Sequence, residues 1–151
     1  MALDSTAILD AVASHALTTG YLDRCGTHEP KSAPGTGLSA AVWVQRLRPI
    51  RSSGLNSVSM LLALNLRIYT SMLSEPQDEI DPNVLRVVDS LMAAYCGDFE
   101  LGGLVRCVDI FGSEGVDLTA EAGYLNQDGR LMRVMTLTIP LLLNDLYSEV
   151  A

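Results

Sequence analysis

From position 58 to position 68 every second residue is apolar: Val58, Met60, Leu62, Leu64, Leu66 and Ile68. Six consecutive hits at period two are the mark of a β-strand with a buried face, because successive side chains leave a strand on opposite sides. The interleaved residues Ser57, Ser59, Leu61, Ala63, Asn65, Arg67 and Tyr69 are mixed, so one face is expected in a core and the other outside it. At about a dozen residues the strand is roughly twice the usual length. It must curve or reach past the core of its own domain. This one element commits the chain to a sheet.

The remaining segments supply partners for it. "DSTAILDAVASHALTTG" reads as a helix, with Asp4 or Ser5 as cap, Ile8, Val12 and Ala16 on one face, and Gly20 past its end. Residues 21–37 have no periodicity and are broken by Gly26, Pro30, Pro34, Gly35 and Gly37, which makes them a long loop. "LSAAVWVQRLR" reads as a strand stopped by Pro49 and turned by "RSSG". The acidic loop "SEPQDEIDP" then leads into a second helix, "PNVLRVVDSLMAAYCG", with Asp81 as N-cap, Pro82 in its first turn and Gly97 closing it. "LVRCVDI" reads as a short strand, followed by a loop through Gly112 and Gly115. Last comes a β-hairpin, "DLTAEAGYLNQDGRLMRVMTLTIPLLL", around a four-residue loop "NQDG" in which Gly129 is free to take positive φ. The expected fold is therefore α+β, a single domain over residues 1–151 in the order α-β-β-α-β-β-β. Its sheet is mainly antiparallel, with two helices packed on it.

Bulk properties exclude several functions. Uninterrupted apolar runs, such as "IPLLL" at residues 139–143 and "LMAAYC" at 91–96, reach only six residues, far short of the ~20 that span a bilayer as a helix. The N-terminus has no basic segment before its apolar residues, so it does not read as a secretory signal. Three cysteines, Cys25, Cys96 and Cys107, cannot all pair within one chain, which fits reduced thiols in a cytoplasm. Ten Lys and Arg stand against eighteen Asp and Glu, a formal charge of −8. A dedicated nucleic-acid binder needs the opposite balance.

The nearest thing to chemistry is "LDRCGTHEPKSAPGTG", which places Cys25, His28 and Glu29 within five positions. A Cys–His catalytic pair normally comes from separate elements that fix the base against the sulfur, and a Pro/Gly-rich loop provides no such scaffold. Zinc needs about four ligands. The only other histidine is His15, in the first helix, and no second cysteine pairs with Cys25 at CxxC spacing. The acidic group Glu75, Asp78, Glu79 and Asp81 lacks the glycine and distal glutamate of an EF-hand, and carboxylates before a helix suit its dipole. Arg46, Arg48 and Arg51 read as a solvated strand face, while Trp43 and Tyr69 read as core or interface residues. "GDFELGG" and "FGSEG" match neither a Walker loop nor a dinucleotide fingerprint. No catalytic residue, cofactor or metal is expected, and the chain reads as a protein that works through its surfaces.

The segments "HEPKSAPG", "AVWVQRLRPI", "LRIYTSML", "EPQDEIDP", "GDFELGG", "VDIFG" and "AGYLNQDGRLMRVMTLTIPLLLND", in that order over residues 5–147, resemble the tail terminator (tail completion) proteins of long-tailed bacteriophages. The similarity is greatest to those of phages infecting actinobacteria. The resemblance implies a non-enzymatic virion protein, assembled in the host cytoplasm, that forms a closed homo-oligomeric ring, typically a hexamer. Such a ring caps the last ring of major tail tube protein at the head-proximal end of the tail and ends its polymerisation. It then offers a docking face to the head-closure or neck proteins, and DNA passes through without specific binding. The expected subunit and tube contacts come from loop 22–37, loop 71–81 and exposed parts of strand 57–70. They include His28, Glu29, Lys31, Arg67, Tyr69, Glu75 and Asp78. The alternatives are another head–tail connector, either head-closure or adaptor, and a small enzyme using Cys25 and His28.

Overall fold

The computed structural model describes residues 3–18, 20–22, 24–27, 38–50, 57–71, 80–96, 100, 105–127 and 129–148. The first helix, α1 (Ser5–Leu17), begins where the local chemistry places it: the Asp4 carboxylate accepts a hydrogen bond from the Ala7 N–H at 3.1 Å. That bond satisfies one of the donors that a helix start leaves open. Gly20, beyond its end, takes φ +80°.

The strands are β1 (Arg24–Gly26), β2 (Ser39–Ile50), β3 (Ser57–Ser71), β4 (Cys107–Val108), β5 (Thr119–Gln127) and β6 (Arg130–Ser148), and α2 (Ile80–Cys96) lies between β3 and β4. They form one sheet in the order β1-β2-β3-β6-β4, with β5 also paired to β6. Only the β1–β2 pairing is parallel. The fold is α+β with a mostly antiparallel, curled sheet. The expected order is met except for β1, three residues inside the segment read as a loop. A strand that short carries no alternation to read.

Several boundaries differ, each for a local reason. The strand expected to stop at Pro49 continues to Ile50, with Pro49 opposite Met60. β1 borders β2 only at residues 39–41, so Pro49 lies where β2 has one open side among the described residues. A missing N–H there costs no ladder bond. Helix α2 starts at Ile80, which puts Asp81 inside the first turn and not at the cap. The hairpin is tighter than a four-residue loop: Gln127 pairs with Arg130, leaving two residues in the turn, of which Gly129 has φ +74°. Strand β6 runs on to Ser148, past the expected end at residue 143.

β4 and β5 occupy the same side of β6, one after the other. β5 pairs with β6 as far as Thr119 opposite Thr138, and β4 takes over with Val108 opposite Leu141. They are one strand position interrupted by an excursion, residues 109–118. Pro140 sits at the break, where its carbonyl still accepts from the Asp109 N–H at 2.9 Å. The ring nitrogen has no hydrogen to return, which suits it to the place where pairing lapses.

Both helices pack on one face. Ile8, Val12 and Ala16 from α1 and Val84, Val88 and Leu91 from α2 share a core with Leu62, Leu64, Leu66, Leu137, Ile139 and Leu141 of the central strands. The other face departs from the wet face expected of β3. Ala41, Tyr69, Met132 and Val134 bury one end of it, and Ile50, Leu61 and Leu142 bury the other. Only Asn65 and Arg67 between them are half-exposed. The sheet curls, so its own edge strands and the excursion close over the ends of that face.

Where the two helices meet, the ring of His15 lies 5.3 Å from that of Tyr95. Burial holds the His15 imidazole below its ordinary value of 6.5. The folded state therefore favours the neutral ring, and this contribution is complete above about pH 6.5. As the pH falls below that value the unfolded chain takes up its proton first, and stability is lost. Urea midpoints at pH 7.5, 6.5 and 5.5 test this. The wild type should lose more stability across the window than His15→Gln, and parallel curves would rule it out.

Candidate interaction surfaces

Cys25 sits on β1, half-buried against the helix-side core, with its thiol 3.8 Å from the Gly26 carbonyl oxygen. Burial pushes this thiol up to about 11. The attacking species in cysteine chemistry is the thiolate. At pH 7, four units below that value, roughly one thiol in ten thousand is ionised. His28 and Glu29, the other members of the sequence cluster, lie outside the described residues. Among the described residues no three His, Cys, Asp or Glu side chains gather as metal ligands. Iodoacetamide labelling of Cys25 at pH 7.5, followed by peptide mass spectrometry, should be at least tenfold slower than for a free cysteine. Labelling at the free rate would show an accessible, ionised thiol.

Of the expected contact residues, Lys31, Glu75 and Asp78 also lie outside the described residues, as does Arg51. Arg67 is half-buried in the middle of the helix-free sheet face. Its Nε donates to Thr136 Oγ1 at 2.9 Å, and its guanidinium lies 5.2 Å from the centre of the Trp43 ring. These contacts fix the cation in place across three strands. It forms part of a polar cleft of about 370 Å³, which Gln45, Asn65, Glu121 and Thr138 also line. Tyr69 requires a correction. It is 1% exposed, packed among Ala41, Met132 and Val134, so the folded subunit presents none of it to a partner.

The arginine pair on β2 divides. Arg46 is exposed as expected, but Arg48 is half-buried, and its Nη2 comes within 2.5 Å of where a Cβ on Gly115 would stand. Asp81 is committed to Arg133 on β6 at 2.9 Å. Arg133 also donates to the Gly123 carbonyl and lies 4.5 Å from the Tyr124 ring centre, tying α2 to the hairpin.

Two surfaces escaped the sequence reading. The first is the excursion. Asp109 is 6% exposed and holds it from below: Oδ1 accepts from the Ser113 N–H at 3.0 Å and the Ser113 hydroxyl at 2.9 Å, and Oδ2 accepts from the Glu114 N–H at 2.9 Å. Gly112 and Gly115 turn the chain at φ +71° and +104°, and the Leu118 N–H closes the base onto the Ile110 carbonyl at 3.1 Å. On the first turn of this braced loop, directly past the Ile110 closure, Phe111 is 94% exposed. "VDIFGSEGVD" held the signal, an aspartate four residues before a serine with two glycines to shape the turn. The second is an apolar groove of about 740 Å³ between α2 and β5, where Leu85, Met92, Leu118 and Met135 form the walls and Arg86 and Asp89 the rim.

Compared with protein-family models, the chain matches none, and no curated protein matches it. Among the described residues no helix is long and apolar enough to cross a membrane.

Proposed function

We propose that this chain is a ring-forming structural subunit that caps a phage tail tube and docks the head. One observation supports it beyond the ordered run of tail-terminator-like segments. The sheet carries both helices on one face, its other face presents Arg67 in a polar cleft, and a braced excursion beside β6 bears an exposed Phe111. A subunit of a closed ring needs two different complementary patches, because head-to-tail contacts are heterologous. The middle of the helix-free face, around Asn65 and Arg67, and the excursion are two such distinct patches among the described residues.

The test is to add purified protein to growing tail tubes and follow them by electron microscopy. Capped tubes that stop lengthening support the terminator. Binding to portal complexes instead would make it a head-closure or adaptor protein, and binding to neither would overturn both. Deleting residues 26–35 should abolish ring formation or capping.

A further inference from the structure

We infer that Phe111 of one copy docks in the α2–β5 groove of the next, a knob and a hole carried by the same chain. The inference rests on the self-assembling reading above, since it takes the occupant of the groove to be a second copy.

The knob is held ready. Its loop is braced by Asp109, two glycines at positive φ and the Leu118 closure, so presenting the ring requires little further ordering on contact. A phenyl ring 94% exposed on such a loop buries almost none of its surface among the described residues. Single exposed apolar residues are common on protein surfaces, but this one is aromatic and carried on a hydrogen-bonded turn. Those are the traits of an interface anchor.

The hole is apolar and wide enough to admit it. The walls are apolar, including Leu85, which is itself 54% exposed. On the rim Arg86 is exposed and hydrogen-bonds to an amide, Asn83 Oδ1 at 3.2 Å, with no carboxylate partner among the described residues. The knob loop brings Glu114 and Asp117 on either side of Gly115. Seating Phe111 would carry these carboxylates to a rim that holds both Arg86 and Asp89, so an approach from the Arg86 side is the favourable one. Knob and hole are different patches on one chain, so the contact is heterologous and repeats around a ring.

Light scattering across concentration, with and without tail tubes, gives the first readout. Phe111→Ala and Leu85→Glu should each weaken self-association by roughly thirtyfold or more, with unchanged unfolding midpoints because both side chains are exposed. The second readout is directional. Phe111→Cys and Leu85→Cys proteins, mixed under mild oxidant, should form a mixed disulfide dimer that neither forms alone. If the wild type assembles and Phe111→Ala assembles equally well, or no mixed disulfide appears, the knob-and-hole contact is wrong while the ring stands. If the wild type stays monomeric both alone and on tubes, the ring reading fails and takes this contact with it.

Discussion

Leu64→Ala should lower the free energy of unfolding by about 3–5 kcal/mol, the cost of an unfilled cavity at a site that cannot collapse. Leu64 is 0% exposed at the centre of β3, paired with Val44 on one side and Ile139 on the other, beneath both helices. Domains of this size are stable by only about 5–15 kcal/mol, so the variant should lose roughly a fifth of its margin or more. Urea denaturation measures it. Leu131→Ala is the control: at 49% exposed on β6 it should cost under about 1 kcal/mol. Equal effects at the two sites would mean that the helices do not seal this face of the sheet.

Asp109→Ala should cost about 2–3 kcal/mol and act locally. The carboxylate accepts three hydrogen bonds from Ser113 and Glu114 in a position 6% exposed, and its removal strands those donors. Hydrogen exchange should speed up at the Ser113 and Glu114 amides while amides of β3 keep their protection. Self-association should fall as it does in Phe111→Ala, but through a loosened loop and not a missing ring. Asn in place of Asp109 keeps acceptor capacity on one side-chain atom only, so its effect should fall between the wild type and Ala. An Asp109→Ala protein with unaltered exchange in the excursion would show that backbone turns alone hold it.

Those two sites mark the difference between what the sequence made legible and what it did not. The core of β3 was readable because alternation is a property of neighbouring residues, and Met60 to Ile68 display it without interruption. The helix start at Asp4 was readable for the same reason, since a cap and the N–H that donates to it lie three residues apart. The second face of β3 was not. Ser59 looks like a solvent-side residue, and Tyr69 like a core or an interface one, until sheet curl decides that both are buried. Pro49 looked like a terminator because its tolerance depends on which side of β2 is open. Of the expected contact residues, Arg67 could be placed on a surface, but its setting comes from Thr136 and Trp43, sixty-nine and twenty-four positions away. The excursion's brace is local and could have been read. Its exposed phenylalanine depends on the break between β4 and β5, which only the pairing with β6 reveals.

The β3–β6 seam has a consequence for how the molecule comes together. β2 and β3 meet across a short connection, as do β5 and β6, so each pair closes quickly from local encounters. Joining the two pairs brings Arg67 to Thr136 across sixty-nine residues of chain, with α2 inside the closed loop. Closure entropy must be overcome before that seam returns any burial. Two ready-made halves that wait for each other place the slowest event of folding at the middle of the sheet, where an unpaired β3 is most open to meeting the wrong strand.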